Sequence, residues 1–331
     1  MTSFPQDTLT LVREVPASTR PLLTIVVCAY RHAPFVGECL AAIDGVAAPD
    51  MELVIIDDGS PDDTLLVCGE YVFDPQLPVR LFTKRNAGLV DSLRLGLQLA
   101  RGEYVAFIAS DDAYTAEGLA SVLTSLRAGT WHDDATLCQA IQFGDIDGVP
   151  VYGKDMHDLF SQSPEQRYRT LCLQFPRPML LQATIFRTVF LRELAPWNGN
   201  LELDDWPTFI QVFAAAAEGG ARVRFTPELC LTRYRIHSGG VHNQLARQLR
   251  ATEQVARQLV PASLRRRCLA NVRIDIGLIH LYERRIGTGL ALCARGLLSC
   301  PTPDVLARVV RRGTSFVMKR WARRSATVGC T

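Results

Sequence analysis

From Pro21 onward, short β-branched apolar runs alternate with stretches whose apolar residues recur at helical spacing, the pattern of successive βαβ units. Residues 22–29 (LLTIVVCA) predict a buried strand and 35–46 a helix. A second strand at 53–56 runs into the turn cluster Asp57-Asp58-Gly59-Ser60-Pro61, and a helix is expected over 62–72. Residues 79–83 predict a third strand. Between 86 and 101, Leu89, Leu93, Leu97 and Ala100 share one helical face, and Gly102 supplies the stop. A fourth strand at 104–108 ends at Ser110-Asp111-Asp112, ahead of a helix over 116–126. Continuous apolar strands separated by helices imply an α/β fold whose mostly parallel sheet is covered on both faces.

Beyond residue 130 the rhythm loosens. Strands are expected at 135–143 and 182–186, with a turn-rich excursion over 144–158, and a helix over 205–217 precedes two closing strands at 222–225 and 230–234. Helical patterns then dominate, over 245–259, 264–284, 288–298 and 304–323. The expected organisation is a flexible segment at 1–20, an α/β domain at 21–243 and a helical extension at 244–331.

Composition narrows the classes. With 331 residues, 48% hydrophobic and 21% charged, the chain can bury a large core, which excludes a disulfide-stapled miniprotein and extensive disorder. A net charge of +2 conceals an asymmetry: from Pro261 onward there are 14 Lys/Arg against 3 Asp/Glu, so this part carries +11 and residues 1–260 carry −9. Within 304–331, Val305, Leu306, Val309, Val310, Phe316, Val317 and Trp321 interleave with Arg308, Arg311, Arg312, Lys319, Arg320, Arg323 and Arg324, the pattern of an amphipathic helix. Such a tail suits an anionic membrane surface; no nucleic-acid module accompanies it, so nucleic acid is not an expected partner. The ten cysteines form no C-x-x-C pair, giving no support to a zinc or redox site, and reduced cysteines are expected. No leader pattern and no apolar window of about 18–20 residues is visible, so the expected location is cytoplasmic, peripheral on the inner face of the plasma membrane.

Ligands of open parallel sheets bind at the carboxyl ends of the strands. Three acidic pairs fall there or at a helix start: Asp57/Asp58, Asp111/Asp112 and Asp204/Asp205. Any one pair suits a solvated turn or a helix cap. Several converging at one rim repel each other unless a cation or an exchangeable proton resolves the repulsion, and Mg²⁺ or Mn²⁺ holding a diphosphate fits. Neither G-x-G-x-x-G nor G-x-x-x-x-G-K-[ST] occurs, which argues against a dinucleotide dehydrogenase or a P-loop NTPase.

In chain order, TIVVCAYRH, VIIDDGSPDDT, KRNAGLVDSLRLGLQLARGEYVAFIASDDAY, LELDDWPTFIQV and YRIHSGGVHN resemble the motifs of family 2 glycosyltransferases with the GT-A fold, of bacterial surface-polysaccharide type. The resemblance spans roughly residues 22–243 and implies a nucleotide half at about 21–113 and an acceptor half at about 114–243. It implies an inverting, metal-dependent transferase that takes a UDP- or dTDP-sugar donor and a glycan or lipid-linked oligosaccharide acceptor. By position, Tyr30 would line the nucleotide pocket, Asp58 would accept from the base, and Asn86 and Gly88 would meet the nucleoside. Asp112 would hold the Mg²⁺ or Mn²⁺, and Asp111 would meet the ribose or support the cation site from behind. Asp205 would be the catalytic base with Asp204 beside it, Trp206 would stack on the acceptor, and Arg235 and His237 would face the diphosphate or the cation. Ala109 departs from the family's leading Asp, which leaves room for a non-catalytic sugar-nucleotide-binding module. A nucleotidyltransferase is the other alternative, but residues 30–34 are not the Gly-rich basic loop it needs. His32, His132, His157, His242 and His280 read as ordinary histidines.

Overall fold

The structure is a computed structural model that describes residues 9–17, 19–174, 179–237 and 245–310. It divides into two compact units, one of residues 1–165 and 178–240, the other of 166–177 and 241–331. Residues 166–177, placed by sequence in the acceptor half, thus group with the C-terminal helices.

The first unit opens with β1 (Leu9–Val15), β2 (Leu23–Ala29), α1 (Ala33–Asp44), β3 (Met51–Asp57), α2 (Thr64–Glu70), β4 (Val79–Lys84), α3 (Leu89–Leu99) and β5 (Tyr104–Ala109). It continues through β6 (Ala113–Tyr114), α4 (Ala116–Arg127), β7 (Ala135–Gly144), α5 (Lys154–Phe160) and the start of α6 (Pro164–Leu173). A 3-10 turn at Leu181–Ala183 leads to β8 (Thr184–Arg187), α7 (Thr188–Leu194), α8 (Asp205–Ala217) and β9 (Val223–Ile236). The strands form one sheet in the order β1-β4-β3-β2-β5-β8-β7-β9-β6. Its centre, β4-β3-β2-β5, is parallel throughout.

The burial of that centre explains its sequence. Every residue of β2 and β3 is buried, because helices cover both faces, and such strands read as unbroken apolar runs. Leu23, Ile25 and Val27 share a core cluster with Val36, Leu40 and Ile43 of α1. The parallel strands all end at one rim, where the turns after β3 and β5 carry the first two acidic pairs.

Three features differ from expectation. Residues 9–15 are not a flexible leader but β1, paired antiparallel with β4 at the sheet edge; four of its seven residues are exposed, so its apolar positions give no core signal. The two closing strands are one, β9, because Pro227 to Leu229 loop out of register between the Cys138–Thr226 and Gln139–Cys230 pairs, and a bulge is where a strand tolerates proline. The turn-rich stretch contains the short helix α5, and α6 follows it.

The second unit holds most of α6 with α9 (Leu245–Leu259), α10 (Ala262–Tyr282), α11 (Ile286–Ser299) and a helical segment at 303–310. Ala270, Ile274 and Leu278 of α10 cluster with Cys293 and Cys300 and with Val305. Arg308 Nε donates to the buried Asp275 Oδ1 at 3.0 Å, and Asn271 Nδ2 donates to the Leu173 carbonyl at 2.8 Å. The helix expected over 304–323 is described only to residue 310; the rest of the basic tail lies outside the described residues. No helix among the described residues is long and apolar enough to cross a membrane. Nine described cysteines are free thiols.

Candidate active site

The turn after β3 is built by its first aspartate. Asp57, buried, accepts from the Ser60 amide at 3.2 Å and from Thr83 Oγ1 at 2.9 Å. Gly59 follows with φ of +65°, and a Cβ there would lie 2.8 Å from the Lys84 carbonyl oxygen. Only glycine fits that crossing. Asp58, also buried, accepts from the Ala87 amide at 2.9 Å and the Gly88 amide at 2.8 Å, and pairs with Lys84 Nζ. Lys84 in turn reaches Asp91 at 3.0 Å. Asp58 therefore folds the 86–88 loop, where Gly88 takes φ of +91°, while its carboxylate stands at the strand ends near Tyr30 and Asn86, both exposed. The sequence reading had no role for Lys84, which follows the strand expected at 79–83 and closes β4 in the structure.

The turn after β5 uses its pair in the opposite order. Asp112, 2% exposed, accepts from the Arg235 amide at 2.7 Å on Oδ1 and from Gln182 Nε2 at 3.2 Å on Oδ2. Burial and the neighbouring Asp111 push its carboxyl up to about 8, against the pull of those two donors. Asp111 is the half-buried one. Its Oδ2 lies 3.1 Å from His237 Nε2, and its Oδ1 lies 3.6 Å from Nδ1 of His32. Asp112, expected to hold the cation, thus carries one protein hydrogen bond on each oxygen, while Asp111 is the more exposed of the two.

His32 also departs from its ordinary reading. Its amide donates to Thr64 Oγ1 at 2.8 Å, and its Nδ1 lies 2.9 Å from Ser110 Oγ. Burial lowers its pKa, with Asp111 opposing. Sequence reasoning missed it because nothing at residue 32 announces a partner 79 positions downstream.

Strand β9 brings Arg235 and His237 to the same corner. Arg235 Nε donates to the Asp111 carbonyl at 2.6 Å, its guanidinium pairs with Glu38, and it lies over the Phe143 ring at 4.1 Å. It is thus tied into the corner, and a direct clamp on a diphosphate would have to release Glu38. The His237 ring stands 5.2 Å from Phe35.

The third acidic pair opens α8. Asp205 Oδ1 accepts from the Leu181 amide at 2.9 Å. Its carboxyl is raised well above the usual range, first by burial, then by Asp204 and Asp112. The carbonyl of Asp204 accepts from Thr208 Oγ1 at 2.7 Å at the start of the helix. Trp206 is 6% exposed, so its ring belongs to the core and the expected stacking on an acceptor does not fit. The second and third pairs converge: the Leu181 amide holds Asp205, the next side chain, Gln182, holds Asp112, and burial with these carboxylates raises the Tyr234 phenol. Gln182 Oε1 is buried in this region with no hydrogen-bond partner among the described residues.

No group of three or more His, Cys, Asp or Glu among the described residues is arranged to hold a metal ion. Asp111 and His237 nevertheless offer an oxygen and a nitrogen side by side. That donor set fits a divalent cation that keeps waters and takes the rest of its shell from phosphate oxygens.

Comparison with known proteins agrees with this architecture. Residues 24–177 match the family described as Glycosyl transferase family 2. A PGL/p-HBAD biosynthesis glycosyltransferase of Mycobacterium bovis is 28% identical over 205 residues, covering 60% of this chain and 72% of that protein. An uncharacterized glycosyltransferase of Haemophilus influenzae is 30% identical over 108 residues, covering 32% of this chain and 33% of that protein. Among solved structures, S. aureus TarS 1–349 in complex with UDP-GlcNAc superposes with a TM-score of 0.58 at 16% identity, over 89% of this chain and 83% of that one. A mannosyltransferase from Pyrobaculum calidifontis in complex with GDP-Man and Mn²⁺ gives 0.53 at 18% identity, over 94% and 84%. With its GT-A-like sheet and its ordered acidic turns, the chain is a glycosyltransferase whose residues 24–177 resemble family 2.

Proposed function

We propose that this glycosyltransferase moves a sugar, with inversion, from a nucleoside-diphosphate donor of the UDP or dTDP type to a hydroxyl of a glycan or lipid-linked oligosaccharide in cell-surface polysaccharide synthesis, lipopolysaccharide included. The observation that carries this reading is that two successive residues of one turn hold acids of the second and third pairs, the Leu181 amide donating to Asp205 at 2.9 Å and Gln182 Nε2 to Asp112 at 3.2 Å. The two solved relatives were captured with nucleotide sugars, and the mycobacterial relatives are named for PGL/p-HBAD biosynthesis, which supports the donor and acceptor classes.

Asp58 retains acceptor capacity for the N–H of a base, with Tyr30 and Asn86 beside it and Gly88 leaving room for the nucleoside. Asp111 and His237 would hold the Mg²⁺ or Mn²⁺, and Asp112 would keep the β9 backbone at its place behind them. A divalent cation bound there neutralises charge on the departing diphosphate. Asp205 takes the proton of the acceptor hydroxyl, whose oxygen bonds to the anomeric carbon as the carbon–phosphate oxygen bond breaks and its electron pair leaves with the nucleoside diphosphate. Burial and Asp204 raise the Asp205 carboxyl, so transfer is expected to increase with pH as the carboxylate forms. Arg235 positions Asp111 through its carbonyl. The basic segment at 304–331 would hold the enzyme at the anionic inner face of the plasma membrane.

The test is a screen of nucleotide sugars for thermal stabilisation of the whole chain with and without Mn²⁺, followed by transfer assays with the donor found. Asp205→Asn is expected to keep donor binding and lower transfer by about 10²–10⁴-fold. Near-normal turnover in that variant would place the base elsewhere. Donor stabilisation without any transfer or donor hydrolysis would favour a binding module.

A further inference from the structure

Helix α11 is apolar on both faces, and only one of them is covered. Its inner face packs on α10 at backbone distance: a Cβ at Gly289 would lie 2.8 Å from the Gly277 carbonyl oxygen, and one at Gly296 would lie 2.9 Å from that of Ala270. Leu292 and Cys293 are buried between them. Its outer face carries Ile286, Leu290, Ala294 and Leu298 at four-residue spacing, and the three large side chains are 60%, 58% and 81% exposed. A helix apolar all round is normally enclosed on all sides, and an exposed apolar stripe marks a contact surface.

The charges around the stripe choose among occupants. Residues 283–304 carry Arg284, Arg285 and Arg295 against Glu283, which pairs with Arg285 at 3.6 Å, and Asp304, which pairs with Arg267, so Arg284 and Arg295 border the stripe without an ion pair among the described residues. A second copy of this chain would set arginine against arginine. The segment 311–331 contains six Lys/Arg and no Asp or Glu, so folding it over α11 would meet the same repulsion. An anionic bilayer satisfies both demands, taking the leucines into its boundary and the guanidinium groups at its phosphates. With 14 residues the helix is about 21 Å long, too short to cross a hydrocarbon core of about 30 Å.

We propose that the outer face of α11 is a membrane-docking surface, seated in the headgroup region of an anionic bilayer with Ile286, Leu290 and Leu298 as its apolar anchors. The proposal rests on the membrane reading above for the sign of the lipid charge, but it assigns the apolar contact to a different element.

The experiment uses the full-length chain and sedimentation with phosphatidylcholine vesicles, with or without phosphatidylglycerol. Leu290→Gln/Leu298→Gln keeps every charge and is compared with Lys319→Gln/Arg320→Gln in the tail. The leucine variant is expected to bind phosphatidylglycerol vesicles at least about tenfold more weakly than the parent. It should also keep the parent's melting temperature and its donor binding, since neither leucine is packed in the core. A Leu298→Trp chain should be quenched by brominated acyl chains beyond the parent's level. Unchanged binding by the leucine variant overturns the proposal, and if the tail variant alone is impaired the tail reading stands without it. A concentration-dependent dimer lost in the leucine variant would assign the face to a second copy. Quenching of Leu298→Trp no greater than the parent's would show that the face stays out of the lipid.

Discussion

The turns after β3 and β5 each carry an acidic pair, at the ends of strands with β2 between them, and the two pairs divide their labour in opposite order. At 57/58 the first aspartate folds its own turn and the second faces the loop at 86–88. At 111/112 the first faces His237 and the second is sealed behind the backbone of β9. What differs is what closes on each turn. Lys84 and two loop amides arrive at Asp58 from the neighbouring strand, whereas the Arg235 amide and Gln182 reach Asp112 from the far half of the unit. An acidic pair in a sequence thus marks a corner, and the partner that packs against it decides which carboxylate is left to meet a ligand.

The largest expected break in that comparison is at Asp58. Asp58→Ala strands two loop amides and removes the nearer partner of a buried lysine. We expect a loss of about 3 kcal/mol in urea unfolding, moderated by Asp91, together with weaker nucleotide binding. Restoring much of the stability with Lys84→Met in the same chain would confirm that the uncompensated charge is the cause. Gly59→Ala should cost less, about 1–2 kcal/mol, from its left-handed backbone and the crowded Lys84 carbonyl, read in the same denaturation.

The smallest effect on stability at neutral pH is expected at the buried member of the second pair. Asp112, raised to about 8, is mostly protonated at pH 7, so Asp112→Asn should change stability by less than about 1 kcal/mol there. Its pH dependence is the sharper readout. The folded state holds this proton to higher pH than the unfolded chain, whose carboxyl titrates at about 3.9. The parent's stability in chelator should therefore fall as pH rises from about 4 to 8, and the Asn variant should lose that part of the slope. A parallel slope in both proteins would mean that Asp112 titrates normally.

The central strands and the start of α8 at Asp205 were legible because their signals are local: unbroken apolar runs, and an acidic pair leading an amphipathic stretch. The edge strand β1 was not, since an exposed strand held by one neighbour needs no apolar face. Nor was the continuity of β9, whose Pro227 reads as an end until the bulge is seen. The division of roles within 111/112 was beyond local reading for a related reason. His237 lies 126 residues from Asp111, and the group that seals Asp112 is a backbone amide, which has no letter in a sequence.

We propose that Asp111, with His237, faces the cation and that Asp112 stands behind it. Nucleotide-sugar binding titrated with Mn²⁺ in Asp111→Asn and Asp112→Asn side by side, both with melting temperatures near the parent's, tests this. Asp111→Asn is expected to abolish the Mn²⁺-dependent gain in affinity and Asp112→Asn to keep most of it. Loss of that gain in Asp112→Asn with its retention in Asp111→Asn would place the cation on Asp112 instead.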